Sequence, residues 1–175
     1  MFYQLQQNWY KILDFIDMGG PVLWAIMAVL FFMWLMIIER MWFYSITFPK
    51  LRKQILSDWD ARSDRSSWYA RRIREQMVSE ANVNLRSGLG FLDALVAISP
   101  LLGLFGTVYG MLNVFDIMAM EGTSNARAMA SGVAKATIPT MAGMIAALSG
   151  VFFTTFFRQK TRKETEHLED SMHQG

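Results

Sequence analysis

The sequence predicts an all-α integral membrane protein, with three transmembrane helices and cytoplasmic helical extensions. Two observations carry this. Uncharged runs occupy 18–38, 94–115 and 136–157. Each has about the 20 residues that a helix rising about 1.5 Å per residue needs to cross roughly 30 Å of hydrocarbon. The charged residues, 18% of the 175, gather between these runs. A soluble amphipathic helix would instead carry them along one face.

Taken in order, 1–20 reads as a periplasmic amphipathic segment. There Trp9, Ile12, Leu13 and Ile16 recur at helical spacing, as in a helix lying on the membrane boundary. The first span covers 21–44. It lacks a basic leader and a small-residue cleavage site, so it is expected to be a retained anchor. It carries bulky residues all round (Leu23, Trp24, Phe31, Phe32, Trp34, Met36), which predicts a lipid-facing helix, with Trp24, Trp42 and Tyr44 as interfacial anchors. Residues 45–92 form the cytoplasmic helical region. Pro49 is expected to break the chain there, and Gly88 and Gly90 mark the entry to the second span. The second span covers 93–117, a short periplasmic loop 118–130, the third span 131–157 and a cytoplasmic tail 158–175.

The sidedness comes from Lys and Arg. Arg40, the many basic residues of 50–86, and Arg158, Lys160, Arg162 and Lys163 flank one side of the spans. The other side holds only Lys11 and Arg127. The positive-inside rule then places the N-terminus outside and the tail in the cytoplasm. The run Arg71, Arg72, Arg74 is read as juxtamembrane charge meeting anionic lipid, so no nucleic-acid partner is expected. There is no cysteine, and the only two histidines, His167 and His173, sit in the charged tail. No cofactor and no metal site are expected. With no nucleophile–base pair in view, the chain does not read as an enzyme.

Spans two and three differ from the first. Ser99, Gly103, Gly106 and Gly110 repeat every three or four positions in one, and Gly132, Ala136, Gly143, Ala147 and Gly150 in the other. Small residues let helices approach closely in lipid, so Gly103, Gly106, Gly110, Gly132, Gly143 and Gly150 are the candidate packing positions. The third span has small residues on further faces (Ala142, Ala146, Ser149), which points to additional neighbours and a homo-oligomer. The deep polar residues are Ser99, Thr107, Asn113, Thr137, Thr140 and Ser149. Polar groups inside a span mark functional positions. Counting from the centres of the two runs puts Thr107 roughly 3 Å and Thr140 roughly 9 Å outward of the midplane. That is close enough for one polar stripe, although a lone Thr ordinarily bonds its own backbone. Neither titrates, and neither uncharged run holds a carboxylate. A proton path would therefore need an acid from another chain.

The string SPLLGLFGTVYGML from Ser99 to Leu112 resembles the second-span signature of the ExbB/TolQ/MotA proton-channel family. The segment GVAKATIPTMAGMIAALSG from Gly132 to Gly150 is similar to its pore helix. The three-span plan matches ExbB better than MotA, which has four spans, and TolQ is the near alternative. The resemblance implies a pore-forming subunit of an inner-membrane proton channel that couples proton-motive force to TonB-dependent outer-membrane uptake. It implies a homopentamer around an ExbD-like single-span subunit with an intramembrane Asp, and a TonB-like protein beyond. Thr107 and Thr140 match the two pore threonines. Lys135 stands where the family commonly has glutamate, near the outer end of span three, where it could snorkel to the interface or place positive charge at a pore mouth; Pro139 is a second departure that predicts a kink. A TolQ-like role in envelope maintenance and a purely structural membrane scaffold are the alternatives.

Overall fold

The computed structural model describes residues 2–64, 67–121 and 126–173, with side chains described over 19–64, 67–120 and 129–172. Among the described residues five α-helices follow one another: α1 Phe2–Trp42, α2 Phe48–Asp60, α3 Trp68–Arg86, α4 Leu89–Glu121 and α5 Ala126–His173. No strand occurs among the described residues. Among the described residues three helical stretches are long and apolar enough to cross a membrane. In hydrocarbon a chain must satisfy its backbone groups internally, which a helix does.

The chain divides into two compact units, Met1–Met33 with Ala94–Gly150, and Trp34–Asp93 with Val151–Gly175. In the first unit, α1 changes direction at Gly20, whose φ of 62° is left-handed, just before Pro21. The side chains of the stripe Trp9, Ile12, Leu13 and Ile16 lie outside the described residues. Beyond the bend, Val22, Leu23 and Ile26 are buried while Trp24, Phe31 and Phe32 are exposed. In the second unit Ile37, Arg40, Tyr44 and Phe48 are buried. The first span is therefore not lipid-facing all round. It carries one packed face built of large side chains, which composition cannot tell from a lipid-facing one.

Pro49 does not break the chain. A π-helical turn, Phe43–Thr47, joins α1 to α2, and the Phe48 N–H reaches back five residues to Phe43 O. Pro49 has no N–H to return to Ser45, so the ladder is reset where the wider turn sits. Tyr44 is not an interfacial anchor either. It is 3% exposed, stacks on Phe157 at 5.5 Å, and donates its hydroxyl to Leu85 O at 2.9 Å. Its one proton is thus committed, so the 2.5 Å contact with Thr161 has Thr161 as donor. The π-helical turn, α3 and α5 thus meet at this phenol.

The rest of the second unit is a small helical core. Trp59, Ala70, Ala81, Leu168 and Met172 are buried together, with Ile55, Leu56, Met77 and Val78 packed against them. Ser67 caps α3, accepting from Ala70 N at 3.1 Å. The α3–α4 turn rests on Gly88 at φ +75°, where an added Cβ would meet the Arg40 guanidinium at 2.9 Å. The tail continues as helix to His173. There Arg52 of α2 lies 3.3 Å from His167 and 3.8 Å from Glu164. His167 is exposed; the side chain of His173 lies outside the described residues.

Candidate functional site

In the first unit α4 and α5 run antiparallel in van der Waals contact, and the small residues are where they touch. A Cβ added at Gly103 would lie 3.0 Å from Pro139 O and from Thr140 Cα. At Gly110 it would lie 2.8 Å from Ala136 Cα, and at Gly143 2.5 Å from Ser99 O. At Gly106 it would strike the Pro139 ring, at Gly132 the Val114 side chain, and at Gly150 Val96 and Met33. Space at these six positions brings the backbones together, as membrane helix pairs require. Pro139 has its ring against Gly106, and α5 continues as one helix through it.

This register decides which polar groups meet. Thr107 donates to its own Leu104 O at 2.6 Å. Ser99, Thr137 and Ser149 likewise bond Leu95 O, Ala134 O and Ala146 O on their own helices. Thr140 behaves differently. Its hydroxyl crosses to Gly103 O on α4 at 2.9 Å and lies 3.4 Å from Thr107 Oγ1. The two threonines thus form one polar pair, closer than the depths counted from the run centres. Both hydroxyl protons point at oxygen acceptors, so the pair presents lone pairs and stores no proton.

Lys135 is not part of this pair. It is exposed and lines an open cleft of about 440 Å³ with Tyr109, Asn113 and Ser131. It has no ion pair or hydrogen bond among the described residues. One turn and a half separates it from Thr140 along α5, roughly 7.5 Å at the helical rise. Among the described residues no cluster of three or more His, Cys, Asp or Glu could hold a metal ion.

Arg40 does more than mark the topology. It is buried at 9% exposure, with its guanidinium 5.2 Å from the Phe43 ring. Its Nε lies 2.9 Å from Glu39 Oε2, yet neither Nε nor Nη1 makes a hydrogen bond. The 2.9 Å contact is between neighbouring residues and lacks bonding geometry, so it is a charge pair only. The signal was present: Met33, Ile37, Arg40, Tyr44 and Phe48 fall on one helical stripe.

Several curated proteins are similar to part of this chain. The "Biopolymer transport protein ExbB" of Pseudomonas putida is 36% identical over 83 residues, 47% of this chain and 25% of that protein. The protein of the same name from Salmonella typhimurium is 36% identical over 86 residues, 49% of this chain and 35% of the relative. The "Tol-Pal system protein TolQ" of Pseudomonas aeruginosa is 36% identical over 104 residues, 59% and 43% of the two chains. The chain therefore spans only 25–43% of the length of these relatives. A family model matches residues 46–170, most of the described helices and both threonines. By that match the chain belongs to the MotA/TolQ/ExbB proton channel family.

Proposed function

We propose that this chain is an ExbB-like pore-forming subunit of the bacterial inner membrane, which conducts protons only together with a partner. The carrying observation is the Thr140 hydroxyl, spent across the helix pair on Gly103 O and beside Thr107 rather than on its own backbone. Thr107 and Thr140 line the proton path, and Lys135 stands at its outer mouth. The missing acid comes from an ExbD-like single-span subunit with an intramembrane Asp, held within a homopentamer of this chain. The N-terminus lies in the periplasm and the tail in the cytoplasm. The coupled work is TonB-dependent uptake of iron-siderophore or vitamin cargo. A TolQ-like role in envelope maintenance is the second reading, favoured by the TolQ relative, which aligns over the longest segment of the three compared.

The test is reconstitution in proteoliposomes. Proton flux is expected with a co-purified single-span partner and absent for this chain alone. Equal flux without the partner overturns the shared-acid reading. Complementation separates the two roles. Restored siderophore uptake in a strain lacking its own ExbB supports the first, and restored detergent resistance in a strain lacking TolQ supports the second.

A further inference from the structure

The second unit holds a cleft of about 520 Å³ that the pore reading does not use. Asn82 and Arg86 at the end of α3 line one wall, Arg158, Arg162 and Glu166 of α5 another, and Asp93 of α4 closes it. Three guanidiniums therefore face two carboxylates. Arg158 holds Asp93 at 2.5 Å. Arg162 holds Glu166 at 2.8 Å, but both side chains are largely exposed, 80% and 59%. Such an i,i+4 pair at the surface contributes little, so the Arg162 guanidinium turns to a better acceptor at small cost. Arg86 is exposed and has no partner among the described residues.

The place of the cleft along the chain fixes its surroundings. Asp93 immediately precedes the uncharged run of α4, and Arg158 immediately follows that of α5. Their ion pair therefore marks the edge of the hydrocarbon, the level at which phospholipid phosphates lie. Guanidinium forks match phosphate oxygens two at a time, and an amide beside them adds a further donor.

We propose that this cleft binds a phosphate group at the membrane boundary, held by Arg86 and Arg162 with Asn82 alongside, while the Arg158–Asp93 pair forms the fixed wall. The bound group ties the end of α3 to α5. Its source is either the headgroup of an anionic phospholipid or a soluble phosphate.

The experiment places the full chain in phosphatidylcholine nanodiscs doped with phosphatidylglycerol and counts retained lipids by native mass spectrometry. In parallel, inorganic phosphate and glycerol phosphate are titrated in lipid-free detergent and followed by phosphorus NMR. A lipid source predicts phosphatidylglycerol enrichment on the order of tenfold over the bulk ratio, lost in the Arg86→Gln/Arg162→Gln double variant. A soluble source predicts a saturable phosphate signal, with no lipid enrichment, lost in the same variant. Arg71→Gln, on the exposed face of α3 outside the cleft, leaves either result unchanged. Binding in neither arm overturns the proposal. So does an equal loss in Arg71→Gln, which would assign the effect to general surface charge, and so does full binding in a double variant whose helical signal matches the parent.

Discussion

Replacing Thr140 by valine separates a structural role from a role in proton movement. Valine keeps the branched shape of threonine, with a methyl where the hydroxyl was, so no cavity opens. What disappears is the donor to Gly103 O at 2.9 Å and to Thr107 Oγ1 at 3.4 Å. The second distance is at the outer limit of a hydrogen bond, so the loss amounts to about one interhelical bond. Such bonds in membrane proteins contribute about 0.6 kcal/mol on average and up to about 1.7 kcal/mol. Against a typical folding free energy of about 5–15 kcal/mol, the helix pair survives. If the hydroxyl is part of the proton path, flux instead falls at least about tenfold, more than about 1.4 kcal/mol of barrier. The assay pairs proton uptake into proteoliposomes holding chain and partner with thermal unfolding of the same preparation. Thr140→Ser, which keeps the hydroxyl, is expected to retain most of the flux. Full flux in Thr140→Val, or equal losses in the serine and valine variants, would refute the reasoning.

The remaining predictions concern packing. Gly143→Ala puts a methyl 2.5 Å from the backbone oxygen of Ser99, which cannot swing aside. We expect about 1–3 kcal/mol of destabilisation by overpacking in denaturant unfolding, and more than for Gly150→Ala, where part of the obstruction is the flexible end of Met33; the reverse order would contradict the backbone argument. Tyr44→Phe removes the bond to Leu85 O and strands the Thr161 hydroxyl, for about 1–3 kcal/mol, read as a lowered Tm; an unchanged Tm would show the phenol to be idle. Arg40→Met is expected to be neutral or stabilising in the same measurement, because an apolar chain of similar length replaces a buried guanidinium with two unbonded nitrogens; a large loss would reveal a partner for that charge. Gly88→Ala combines a left-handed φ with collision against Arg40, and Arg40→Met should recover part of its cost in a double-mutant cycle.

The three spans were legible because hydrocarbon demands long uncharged runs, and the sequence has three. The register of α4 against α5 was not. Counting from run centres assumes that both runs sit symmetrically in one slab, and it put Thr107 and Thr140 about 6 Å apart in depth. The actual register is set by which small residue meets which obstacle, Gly106 against the Pro139 ring and Gly143 against Ser99 O. Many small residues at helical spacing allow several such registers, and only the three-dimensional fit selects among them. The first helix fails to read for a different reason. Leu23 and Phe31 are equally apolar, yet one is 2% exposed and the other 65%, because lipid and protein interior reward the same side chains. Arg40 counted as a topology charge, and its helical phase was visible, but the Gly88 turn that buries it lies 48 positions further along the chain.

The threonine pair and Lys135 act oppositely on any carboxyl group that reaches them. Thr107 gives its proton to Leu104 O and Thr140 gives its own to Gly103 O, so what they offer an incoming group is lone pairs. Lone pairs favour the protonated acid, which can donate, over the carboxylate, which cannot. Lys135 offers only donors and a positive charge, which favour the carboxylate. The two lie roughly 7.5 Å apart along the helix axis and on faces about 140° apart, so a carboxyl group would meet one or the other according to the rotation of the helix that carries it. A carboxyl group brought to this stretch of α5 by a partner would therefore hold its proton more tightly beside the threonines than beside Lys135. A glutamate in place of Lys135 would flatten that gradient by disfavouring the carboxylate at both ends. A lysine at 135 would thus make such an acid more responsive to position than a glutamate there would.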